Sequence, residues 1–180
     1  MVPLLCLLFV HTGFLWGFAG RGAAFANEAA PELPPSSPTQ DSLALVELYN
    51  ATGGPNWTNI WDLNAPMSTW YGVTLNAEGC VTCLDLDGNP NCSSGASSGN
   101  NLVGELIDLN LPQLEGLYIA RNNLSGAIPD FSNLPNLEWL ACYRNNLSGP
   151  IPDFAGSSNL RVLLLRNNQL SGNIPLFCYI

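Results

Sequence analysis

Two aspartates, Asp85 and Asp87, stand two residues apart in the run Asp85-Leu86-Asp87-Gly88-Asn89. On a strand that spacing points both carboxylates to one face. Paired carboxylates are what acid–base chemistry uses, and an oxygen-rich run of this kind also hints at a calcium loop. The EF-hand pattern is not met, because Pro90 stands where that loop needs glycine and Ala96 where it needs a bidentate glutamate. The expectation for the pair is a solvated acidic face. Cys80 and Cys83 offer a second short constellation, with the spacing of a zinc knuckle or a redox dithiol. Zinc wants four ligands, and neither a second such pair nor a nearby histidine is present; a redox pair usually sits at a helix start. The only histidine is His11 and there is no lysine, so the usual general bases and nucleophile activators are missing. Serines abound without an evident base partner. Neither a cofactor, nor a metal, nor a catalytic residue is expected, and the chain reads as a non-enzyme.

The elements that carry these residues come from a repeat. Leu114, Leu137 and Leu160 each open the same phrase, spaced by 23 residues. Within it Leu117, Ile119, Asn122 and Leu124 are matched by Leu140, Cys142, Asn145 and Leu147, and then by Leu163, Leu165, Asn168 and Leu170. The unit is L-x-x-L-x-L-x-x-N-x-L-x-G-x-I-P. Its alternation at the fourth and sixth positions predicts a short strand with one buried face. The asparagine amide both donates and accepts, so it can satisfy backbone groups that stacked coils would otherwise bury unpaired. Gly126, Gly149 and Gly172 permit a tight bend, and Pro129, Pro152 and Pro175 fix an extended return. One such coil cannot bury its leucines alone, but a stack can, and a stack usually presents a binding surface.

These phrases resemble the leucine-rich repeat family, in its plant-type L-x-G-x-I-P class. The resemblance covers about Asp41 to Phe177 and implies an α/β solenoid: a right-handed superhelix with a short parallel sheet on its concave face and a helical N-terminal cap. Residues 81–180 supply about four repeats. The first begins at Val81, with Leu84 and Leu86 inward, and resumes at Asn100, Leu102, Gly104 and Leu106. Its ten extra residues fall in a Gly- and Ser-rich loop, 87–99, expected to protrude from one face. Residues 41–80 look like the family's N-terminal cap. Asp41 is its expected helix N-cap, Leu45, Leu48 and Tyr49 share one helical face, and Gly53, Gly54 and Pro55 stop the helix. Trp57, Trp61 and Trp70 are expected to be buried in that cap rather than laid out as a carbohydrate platform. The cap phrase resembles bacterial or algal surface members of the family, and the repeats suit a plant receptor ectodomain.

Residues 1–26 read as a signal peptide, cleaved after Ala24-Phe25-Ala26, and residues 27–40 as a Pro-rich linker. The alternative for the apolar run is an uncleaved anchor; no later segment is apolar enough to span a bilayer. The expected location is secreted or at the cell surface. The formal net charge is −9, which argues against nucleic acid or an anionic membrane and for a basic partner or simple solubility. Of the cysteines that remain after cleavage, Cys142 takes an inward leucine position as a buried thiol. Cys92 lies in the inserted loop, where a bridge to Cys80 or Cys83 would tie it down.

Counting offsets from the repeat places Cys83, Gly116, Trp139 and Val162 in one concave row. The next holds Asp85, Tyr118, Ala141 and Leu164, and the third Asp87, Ala120, Tyr143 and Arg166. Tyr118, Trp139 and Tyr143 are therefore expected to cluster as exposed aromatics, with Arg121, Arg144, Leu164 and Arg166 beside them, the composition of a binding hot spot. The expected partner is a protein, or alternatively a glycan. The runner-up role is a structural scaffold or adhesin fragment, or a truncated receptor-like ectodomain. There the C-terminal edge at Val162–Leu165, expected to lack a cap, would mediate self-association. Asn50, Asn56, Asn91, Asn123 and Asn146 stand in N-x-S/T sequons.

Overall fold

The computed structural model describes residues 37–92 and 98–175. The expected signal (residues 1–26), residues 27–36 of the expected linker, and residues 176–180 with Cys178 lie outside the described residues. The chain enters on α1 (Pro38–Ala51), followed by two single 3-10 turns, Gly54–Asn56 and Met67–Thr69. Nine strands come next among the described residues: β1 (Val73–Leu75), β2 (Val81–Asp85), β3 (Val103–Glu105), β4 (Gly116–Tyr118), β5 (Asn123–Ser125), β6 (Trp139–Ala141), β7 (Ser148–Pro150), β8 (Val162–Leu164) and β9 (Gln169–Ser171).

They stack as a solenoid. One five-stranded sheet has the order β1-β2-β4-β6-β8, and β3-β5 and β7-β9 form two short parallel pairs on a second side of the coils. β2, β4, β6 and β8 are parallel, one from each of four coils, while β1 from the cap joins β2 antiparallel. The register aligns Cys83, Gly116, Trp139 and Val162, and likewise Asp85, Tyr118, Ala141 and Leu164, as the repeat offsets require. Parallel strands of constant period leave no other in-register pairing that keeps the leucines inward.

The core is a continuous column between coils. Leu84, Leu117 and Leu140 are fully buried, as are Leu86, Ile119 and Cys142 one alternation later. Burial pushes the Cys142 thiol up to about 12, so it behaves as a small apolar side chain. The asparagines stitch the column. Asn122 Oδ1 accepts from the amides of Asn100 and Leu102, and its Nδ2 donates to the carbonyls of Leu86, Ile119 and Ala120. Asn145 and Asn168 repeat the pattern one and two coils on. Each bond contributes about 1 kcal/mol net, but losing the amide would strand several buried backbone groups at about 1–3 kcal/mol each.

At the N-terminal end the three tryptophans are buried. Trp61 stacks on Tyr49 and Trp70 and meets Trp57 edge-on, with centroid separations of 5.7, 4.9 and 4.9 Å. Their indole N–H groups donate to the carbonyls of Thr52, Tyr71 and Asp62, so the polar edges are satisfied inside an apolar seal. The helix start differs from expectation. Ser37 is the N-cap, accepting from the Gln40 amide, and the helix begins at Pro38 inside the anticipated linker. Proline at the first helical position loses no hydrogen bond and presets φ. Asp41 has another task. It is fully buried, and its Oδ2 accepts from the Val81 amide at 2.7 Å, joining the cap to the first residue of the first coil.

Candidate functional site

The side chains that alternate away from the leucine column form the second face of the five-stranded sheet. It has a floor: Cys83, Tyr118, Ala120, Ala141 and Tyr143 are buried against one another, with Cys92 and Leu164 packed partly buried onto them. Tyr118 and Tyr143, expected as exposed rings, are only 5% and 4% accessible. Trp139 is the exposed aromatic of this face at 36%, its ring 6.5 Å from that of Tyr118. Arg166 is exposed and places its guanidinium 4.9 Å over the Tyr143 ring. A cation on a π face covers the ring and keeps its charge at the surface.

At Cys92 the inserted segment is tied to this floor; residues 93–97 lie outside the described residues. Cys83 of β2 and Cys92 of the loop form a disulfide, the second of the two pairings the sequence left open; Cys80 is buried outside it. The Gly99 amide donates to the Asp87 carbonyl and closes the base of the insertion. Gly99 has φ +76, and any side chain there would collide with the Arg121 carbonyl oxygen of the next coil.

Asp85 and Asp87 do share one face, but they are fully buried, not solvated. The Asp87 amide points at Asp85 Oδ1, and Asp87 Oδ1 accepts from the Asn89 amide. Burial, then the neighbouring Asp85 charge and hydrogen bond, push the Asp87 carboxyl up to about 7; the Asn89 amide and the Arg121 charge only partly offset this. Burial first and the two carboxylates next also raise the phenols of Tyr71 and Tyr118. Asp87 Oδ2 and Arg121 Nε are buried with no hydrogen-bond partner among the described residues. The pair is thus a buried acid–phenol cluster, Asp85 and Asp87 with Tyr71 and Tyr118. Among the described residues, no three His, Cys, Asp or Glu side chains gather as a metal-ligand set.

Accessible charge lies at the two ends of the strands. Before them, Glu115, Glu138 and Arg161 follow one another from coil to coil through backbone bonds, and Arg161 reaches Glu138 at 3.9 Å. After them come Arg121 and Arg144, both left-handed at φ 56, their amides donating to the carbonyls of Tyr143 and Arg166. The structure therefore brings Trp139, Leu164, Arg166 and Arg144 to one face, leaves Arg121 half-buried, and sinks Tyr118 and Tyr143 beneath it. Glu115 and Glu138 were missed from the sequence, although the residue after each repeat-opening leucine carried the signal. Tyr71 was missed because its partners are 14 and 16 residues away across β1.

The stacked parallel coils, the asparagine ladder and the tryptophan-sealed cap define an α/β solenoid. The family model described as Leucine Rich Repeat matches residues 159–179. Among solved structures, the chain is similar to the Arabidopsis thaliana BIR3–SERK2 complex, at TM-score 0.60 and 28% identity over 75% of this chain and 72% of that chain. It is similar to the BIR2 ectodomain from Arabidopsis thaliana at TM-score 0.63 and 28% identity, covering 75% and 71%. A plant ice-binding protein gives TM-score 0.63 and 26% identity over 76% of this chain but 43% of its own. No curated protein matches the sequence. In fold and repeat motif the chain is similar to plant-type leucine-rich repeat ectodomains. No helix among the described residues is long and apolar enough to cross a membrane.

Proposed function

We propose that the chain is an exported, non-catalytic binding module that recognises a protein partner on the five-stranded face, with Trp139 as anchor and Arg144 and Arg166 as its polar contacts. The observation that carries this reading is Trp139, a large apolar ring held 36% exposed while the other described tryptophans, Trp57, Trp61 and Trp70, are all buried in the cap. A rigid floor of Tyr118 and Tyr143 lies below it, so little conformational entropy is lost when a partner covers the ring. The buried state of Asp85 and Asp87 removes the sequence's one candidate for catalysis from contact with solvent.

The local charge sharpens the partner's chemistry. Although the chain as a whole is acidic, the exposed charges at the end of these strands are Arg144 and Arg166, so the complementary surface is acidic there. A basic partner, inferred from net charge, fits only the Glu115 and Glu138 end. The similarity to receptor ectodomains supports a secreted or cell-surface location and a protein ligand over a glycan. Capture from surface extract on immobilised chain tests the reading. Proteins retained by the wild type should be lost, by about tenfold or more in affinity, with Trp139→Ala or Arg166→Ala. An unchanged set of retained proteins would remove this face as the site.

A second reading is self-association through β8, whose residues Val162–Leu164 are only half-buried. Light scattering on purified chain decides it: a monomer across a hundredfold range of concentration leaves only the first reading.

A further inference from the structure

The cap carries an apolar groove that the five-stranded face does not use. Its volume is 490 Å³, and Leu43 and Val46 of α1 line it together with Leu63, Met67, Trp70 and Leu75. Leu43 is 60% and Leu63 41% exposed, so two large apolar side chains meet solvent at its mouth. None of its lining residues is charged, in a chain that holds fourteen acids. Such a groove offers no partner to a charged or strongly hydrated group, whose burial would go uncompensated. Its occupant is therefore apolar and uncharged.

The structure also shows where an occupant of that kind begins. Pro38, the first residue of α1, belongs to the lining, and so does Gly79. A Cβ on Gly79 would stand 3.1 Å from the Pro38 ring, so the chain enters the helix packed against the rim of the groove. Ser37 in front of it is extended, at φ −127 and ψ 148. The four residues before Ser37 read Leu33-Pro34-Pro35-Ser36, without a charge. Proline fixes its own φ and disfavours helix in the residue before it. Four residues in the extended proline conformation cover about 12 Å, at about 3.1 Å each. The helix from Pro38 to Val46 rises by about the same length, at about 1.5 Å per residue. The segment is thus long enough to run back along α1 from one end of the groove to the other.

We propose that Leu33–Ser36 of the same chain occupies the cap groove, with the Leu33 side chain against Leu63 and Met67. An extended proline segment suits an aromatic-lined groove because its fixed φ leaves little conformational entropy to lose. The covalent link at Ser37 holds the segment beside the groove at an effective concentration on the order of millimolar. Contact through one leucine and two prolines is then enough, whereas a second copy or a foreign proline-rich peptide would have to bind without that advantage.

Magnetic resonance on the full chain, labelled at its Leu and Met methyl groups, tests the proposal. Met67 is a clean reporter, since Met1 is the only other methionine. A cross-peak between the Leu33 and Met67 methyls is expected, unchanged in relative intensity on tenfold dilution. Leu33→Ser should abolish it and shift the Met67 resonance. Leu63→Ser, with the Leu140 resonance undisturbed as the check on folding, should weaken it several-fold; an unchanged intensity would place Leu33 outside the groove. Absence of the cross-peak in a chain whose Met67 still contacts the leucines of the groove overturns the proposal and leaves the groove to a foreign occupant. A Leu33–Met67 contact that arises between labelled and unlabelled chains in a mixed sample overturns it in favour of a second copy.

Discussion

The two ends of the solenoid use the same inward leucine but bury it differently. Next to the cap, Leu84 is fully buried beneath α1 and the Trp57–Trp61–Trp70 stack, and Leu117 and Leu140 behind it are equally closed. At β8, Leu163 holds the equivalent place, and it and its partners Leu160, Leu165 and Leu170 are only half-buried. A coil owns half of its core; the neighbour on each side supplies the rest. The motif therefore states which side chain points inward, while its energetic worth depends on what stacks against it.

The cap end offers the largest test of that difference. Trp61→Ala removes the ring at the centre of four aromatics and should cost roughly 3–5 kcal/mol in urea unfolding. A loss near 1 kcal/mol would mean that the stack is not what seals the first coil. A matched pair of truncations sharpens the contrast. Leu140→Ala, between two coils, should cost about 3–4 kcal/mol, and Leu163→Ala about 1 kcal/mol, because a half-buried side chain forfeits less contact and its site can collapse. Equal losses would show that β8 is covered as fully as β6. A pH-dependent test concerns the cluster at the near end of the sheet. Asp87 moves from an ordinary 3.8 to about 7 on folding, so the folded state prefers its protonated form. Stability should therefore be greatest below about pH 4, fall as pH rises towards 7, and level off above it. Asp87→Asn should flatten this slope in thermal unfolding followed from pH 4 to 8; an unaltered slope would place the titration elsewhere.

How much of this was legible depends on the range of the interaction. The rows of the sheet face could be counted from the sequence, because parallel strands of one period leave the register no freedom. The tryptophans could be assigned to the cap, since an open coil end needs an apolar seal. Tyr118 and Tyr143 were misread as exposed: their burial comes from neighbours on adjacent coils and from Cys92, which the disulfide brings back over them. Asp41 looked like a helix cap because it is a short acid before an apolar stripe. Its partner, the Val81 amide, lies 40 residues on, and no local pattern records that contact. β1 escaped notice for a similar reason, as its pairing with β2 is antiparallel in an otherwise parallel stack.

By itself the sequence determined the coil: the leucines, the asparagine and the glycine–proline return act over a few residues, where backbone geometry and hydrogen-bond satisfaction leave one solution. Only the tertiary structure decided which of its polar and aromatic residues meet solvent. Exposure is set by what the next coil, the cap and the disulfide-tied loop place above each side chain. That is why Asp85 and Asp87 ended buried, and why Trp139 remains exposed.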